Sequence, residues 1–160
     1  MYRGQISAYD IFIAFVGFIL IFSFLNFLWN QNFLRAFEQQ EIILRELTAN
    51  QTLDVLIKSG GTPGNWENSP GSVEVIGLAS KKNVLSQKKL DAFAGLDYQA
   101  ASAKLRIGRY DFQFELRTGN PATDRVIGVA PPANASVLVL RRNVIYRGAD
   151  GNVFFKLFET

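Results

Sequence analysis

The sequence contains neither cysteine nor histidine. Those two absences exclude disulfide frameworks, thiolate nucleophiles, Cys/His zinc sites and any Ser-His-Asp arrangement before geometry is considered. The missing cysteines leave the redox compartment open, because a domain with an adequate core needs no disulfide. Net charge is small as well. Lys and Arg number 17 against 14 Asp and Glu, a balance of +3, and the bases are scattered in pairs such as Lys81-Lys82, Lys88-Lys89 and Arg141-Arg142. Scattered pairs read as solvated surface, so no nucleic-acid partner is expected. Ionisable side chains are missing altogether from Ile11 to Trp29, where only Ser23 and Asn26 are polar.

That uncharged run is the dominant feature of the chain. About nineteen residues at about 1.5 Å each give about 28 Å, close to the hydrocarbon thickness of a bilayer. The positions 11–29 therefore read as a transmembrane helix, with Trp29 suited to the outer interface. A secretory signal removed at its downstream end has a shorter apolar core before a small-x-small site. Here the run leads into Asn30-Gln31-Asn32-Phe33-Leu34 instead, so the segment is expected to be retained. Arg3 on its N-terminal side places the N-terminus in the cytoplasm and the rest of the chain outside, by the positive-inside tendency. Helical spacing continues through Phe33, Ala36, Phe37, Gln40, Leu44 and Leu47, with charges at Arg35, Glu38, Glu41, Arg45 and Glu46 between them. The pattern predicts one helix to about Thr48, apolar all round in its first half and amphipathic in its second.

With 160 residues, the chain beyond this stem is large enough for one compact domain and too small for two. Thr52–Lys58 reads as a separate short helix stopped by Gly60-Gly61, and GGTPGNWENSPGS as a turn-rich connection. Its glycines do not make a phosphate loop, since no Gly-Lys-Ser/Thr follows. Ser72–Ala79 reads as a strand. Ser86–Phe93 and Asp97–Leu105 read as helices with Ser86 and Asp97 as N-caps. In Tyr110–Arg117, Tyr110, Phe112, Phe114 and Leu116 share one face and Asp111, Gln113, Glu115 and Arg117 the other, the pattern of a half-buried strand. Val126–Ala130, Ser136–Tyr146 and Val153–Phe158 complete the strands, the last two joined by a hairpin at Gly148-Ala149-Asp150-Gly151. The expected fold is α+β, a long N-terminal helix packed on a small antiparallel sheet head with short helices.

Arg3-Gly4-Gln5-Ile6-Ser7, followed by an acid and a long apolar helix, resembles the class III signal peptide of archaeal type IV pilin-like proteins. GTPGNWE, VEVIGLAS, VLSQKKLDAF and YDFQFELR, in that order, resemble a segment that recurs in the same family. The resemblance implies a leader 1–4, cleavage between Gly4 and Gln5 by a prepilin peptidase, an N-terminal helix 5–49, and an exported head 50–160. Gln5 and Ser7 match the family's Q-x-S pattern, while the acid of that pattern is Tyr9 here and Asp10 stands one place on. A carboxylate at the mouth of an apolar helix is a functional candidate by default. Asp10 could neutralise the freed amine of Gln5 on a neighbouring subunit, or lie at the headgroups near the helix N-terminus, where negative charge is favoured.

Three functions compete. The first is a structural subunit of a pilus-like surface filament, taken from the membrane by an assembly machinery and joined to identical subunits through its apolar helix. The second is a single-pass surface protein whose head binds a ligand or partner without polymerising. The third is a tethered enzyme. It has acids to draw on, namely Glu67, Glu74, Asp91, Asp97, Asp111, Glu115 and Asp124, but nothing in the sequence pairs any two of them, and neither catalysis nor a metal or cofactor is expected. Asn50-Gln51-Thr52 and Asn134-Ala135-Ser136 are N-glycosylation sequons if the head is exported.

Overall fold

The computed structural model describes residues 8–159 and shows an α+β protein. It divides into two compact units, one ending at Ile43 and one beginning at Leu44. Helix α1, Ala8–Lys58, runs without a break from the first unit into the second. Nothing between Thr48 and Lys58 interrupts it, because no Gly or Pro occurs there; the stretch expected as a separate helix from Thr52 is its last two turns.

In the head, this end of α1 supplies Ala49, Leu53, Leu56 and Ile57 to the core, each no more than 1% exposed. Their spacing of four, three and one residues forms one helical stripe. The apolar face of this half of the helix was expected at Phe33, Ala36, Phe37, Gln40, Leu44 and Leu47; Phe33, Leu44 and Leu47 are exposed by half or more, and the side chains of Ala36 and Phe37 lie outside those described. Helix and sheet are indeed packed together within the head, through later residues than the pattern indicated.

The sheet has six strands in the order β1-β2-β5-β6-β3-β4. They are β1 Ala79–Lys81, β2 Val84–Leu85, β3 Asp111–Arg117, β4 Arg125–Gly128, β5 Leu138–Tyr146 and β6 Ala149–Phe158. Where an antiparallel sheet was expected, the sheet is mixed, since Val84 and Leu85 of β2 run parallel to Ile145 and Tyr146 of β5. The remaining pairs are antiparallel. Phe112, Phe114, Leu116, Val153, Phe155 and Leu157 line the inner face and are fully buried. Phe93 of helix α2 (Gln87–Ala94) stacks on Phe112 at 6.1 Å and meets Phe114 edge-on. Helix α3 is Tyr98–Leu105, capped as expected by Asp97, whose carboxylate accepts from the N–H groups of Gln99 and Ala100. Ser86 occupies the N-cap position of α2 but makes no side-chain cap bond.

Two expectations fail locally. Ser72–Ala79 is not a strand. A 3₁₀ turn covers Pro70–Ser72, and a single bridge joins Val75 to Thr62 before β1 begins at Ala79. The segment is held by close backbone approach instead. A Cβ on Gly77 would lie 2.3 Å from the Gly61 nitrogen, and the buried Trp66 indole donates to the Gly77 carbonyl at 3.0 Å. The β5–β6 turn falls at Arg147-Gly148, with φ of 52° and 78°, so Asp150 and Gly151 are strand residues. Two consecutive positive φ values match the twist of a two-residue hairpin.

Candidate functional site

Two features stand out, the apolar stem and the polar clusters of the head. Tyr9–Gln31 is long and apolar enough to cross a membrane, and at about 1.5 Å per residue it measures about 34 Å. Its large side chains are exposed, from Ile11 and Phe12 through Leu28 to Trp29 at 76%. The Asn26 amide donates to the Phe22 carbonyl at 2.9 Å, so one of its two N–H groups is satisfied inside the helix. Phe18 and Phe22 stack at 5.9 Å. Gly17 has nothing within 4 Å of a Cβ built on it, so no contact among the described residues requires a glycine there. Asp10 lies exposed in the first turn of α1. The expected cleavage site, Gly4 and Gln5, and the leader base Arg3 lie outside the described residues.

Several of the head's acids are engaged in structure. Asp97 caps α3. Asp111 accepts from the Tyr98 hydroxyl at 2.5 Å, and burial, then this bond, push the Tyr98 phenol up to about 12. Asp124 accepts from the Thr118 N–H at 2.8 Å, closing the β3–β4 loop. Glu67 lies 3.8 Å from the ammonium of Lys89. Lys89 is itself 6% exposed and donates to the carbonyls of Gly60 and Gly64, which makes it a clasp on the glycine-rich connection.

No known protein family, curated protein or solved structure matches this chain.

Glu115 was expected on a solvated face, yet it is 6% exposed. It accepts from Lys156 on β6 and, at 2.7 Å, from Arg117 two residues along β3. Burial raises its pKa, but the hydrogen bonds and charges of Lys156 and Arg117 outweigh that and hold the carboxyl below the usual carboxylate range. Lys156 also donates to Gln113 at 2.9 Å. The alternation in β3 marks its two faces correctly. It does not reveal that the outer face carries this cross-strand network, because the partner residue lies about forty positions away.

The two sequons differ in setting. Asn50 is half-buried inside α1, two turns before its end, and was expected at a helix terminus. Its amide donates to the Glu46 carbonyl and accepts from Arg142, both within 2.9 Å. Asn134 is exposed in the turn after Pro131-Pro132.

Proposed function

We propose that this protein is a structural subunit of a type IV pilus-like surface filament. It would be inserted in the membrane as a precursor, cut between Gly4 and Gln5 by a prepilin peptidase, and assembled with identical subunits through its apolar helix. The observation that carries the reading is α1 itself, in which an exposed, membrane-length apolar segment belongs to the same unbroken helix that ends in the core of the head. Apolar side chains are as well accommodated in lipid as in a bundle of like helices, so transfer from bilayer to filament is governed by packing and charge pairing. The filament contact must be heterologous and non-closing.

The experiment is mass spectrometry of the native N-terminus combined with imaging of surface filaments, for the wild type and for Gly4→Val. A chain beginning at Gln5, with filaments lost in the variant, is the expected result. A start at Met1 or Tyr2 favours the single-pass surface protein that binds without polymerising. A start beyond Trp29 marks a discarded signal sequence and ends both readings.

A further inference from the structure

The sheet has a second face, opposite the core face lined by Phe112, Phe114 and Phe155. Cross-strand register places Val126 of β4, Gln113, Glu115 and Arg117 of β3, Asn152, Phe154 and Lys156 of β6, and Val139, Arg141, Asn143 and Ile145 of β5 on this side. Val126, Val139 and Ile145 are 63%, 50% and 41% exposed. At the centre, Arg117 and Arg141 reach from the two strands flanking β6 and both pack over the ring of Phe154, at 5.1 and 5.8 Å from its centroid. Two guanidiniums sharing one ring stand no more than about 11 Å apart and lose little freedom on binding.

Both side chains are exposed, and their hydrogen bonds use only part of each guanidinium. Arg117 gives Nε and Nη2 to Glu115. Arg141 gives Nε to the Asn152 amide oxygen at 2.9 Å, and its terminal nitrogens donate to nothing among the described residues. The Asn143 amide lies opposite Asn152 on the neighbouring strand. Glu115 is committed to Lys156 and Arg117, and Asp111 and Asp150 stand at opposite ends of the face. The centre is therefore cationic, with amides beside it.

We infer that this outer sheet face binds a carboxylate-bearing polysaccharide, its guanidinium forks taking uronate carboxylates and the Asn143 and Asn152 amides taking sugar hydroxyls. Planar bidentate geometry matches carboxylate and guanidinium. The alternative polyanion, single-stranded nucleic acid, gains its affinity by stacking bases on open aromatic faces. Here the partly exposed ring at the centre already carries two guanidiniums. The inference concerns the head and is independent of whether the stem polymerises.

The test measures binding of the full chain in detergent micelles to immobilised polygalacturonate, with neutral dextran and single-stranded DNA as comparisons. Wild-type protein is expected to retain polygalacturonate at physiological salt and to ignore dextran. Arg141→Ala should weaken binding by about tenfold, the equivalent of one charge-assisted hydrogen bond. Arg141→Lys, which keeps the charge and loses the fork, should also weaken it, while Lys104→Ala on α3 should not. Matching thermal melts of the two Arg141 variants and the wild type establish that the fold is intact. Failure to bind polygalacturonate, equal binding to single-stranded DNA, or unchanged affinity in both Arg141 variants overturns the inference.

Discussion

Glu115 shows how a single residue in this head depends on partners from another strand. Its carboxylate is nearly inaccessible to water, and an uncompensated charge there would be costly. Lys156 and Arg117 compensate it and hold its pKa down. A carboxyl whose folded pKa lies below its unfolded value contributes stability that is fully present above the unfolded value and is lost as pH falls through the folded one. The window therefore opens at about 4.5, the ordinary value, and extends downward. Thermal melts of the full chain between about pH 6 and pH 2 should show a fall in stability below about pH 4.5 that is reduced in Glu115→Gln. At neutral pH the same variant should be less stable by about 1–3 kcal/mol, because Lys156 keeps its charge and loses its anion. A pH profile identical to that of the wild type would mean the network does not act as described. Lys89 teaches the same lesson in the glycine-rich connection: a residue that reads as one half of a surface Lys-Lys pair is buried and holds two carbonyls.

Among the elements, α1 separates pattern from packing most clearly. Leu47 and Leu53 lie in the same helix with the same side chain, but Leu47 is 51% exposed and Leu53 is fully buried. Leu53→Ala should cost the head about 2–5 kcal/mol, the range for emptying a core leucine site. Leu47→Ala should change it by about 0.5 kcal/mol or less. Chemical denaturation followed by the fluorescence of Trp66, buried in the same core, distinguishes them. Equal effects would contradict the assignment of the core stripe. The two leucines cannot be told apart by hydropathy, since each sits at helical spacing from apolar neighbours. Leu47 retains its significance in another way, as part of an exposed apolar series with Ile42, Ile43 and Leu44.

For the whole molecule, the proposed transfer from bilayer to filament depends on the entrance to the stem. There Asp10 is the acidic residue of the first turn of α1. If subunits pair it with the freed amine of Gln5, Asp10→Asn should reduce the number of filaments per cell by about tenfold or more, while the mature chain still begins at Gln5. Electron microscopy and mass spectrometry of the same cells read the two quantities separately. Filaments in normal number would leave Asp10 as a headgroup-level charge with no part in assembly.

The sequence by itself determined the elements whose signals are local. An uncharged run of about nineteen residues, an Asp cap before Tyr98–Leu105, and strict alternation in Asp111–Arg117 each declare themselves within one contiguous stretch of sequence, because helix, cap and strand are short-range geometries. The leader motif is legible in the same way, as a pattern whose meaning rests on resemblance and awaits the N-terminal measurement. Tertiary structure decided what depends on residues far apart in the chain. It joined β2 to β5 in parallel and gave Trp66 the Gly77 carbonyl in place of a regular strand. It also chose Leu53 over Leu47 for the core and brought Lys156 to Glu115. Each of those outcomes is a competition between similar side chains for one buried position or one charged partner. Only the assembled neighbourhood of the head decides such a competition.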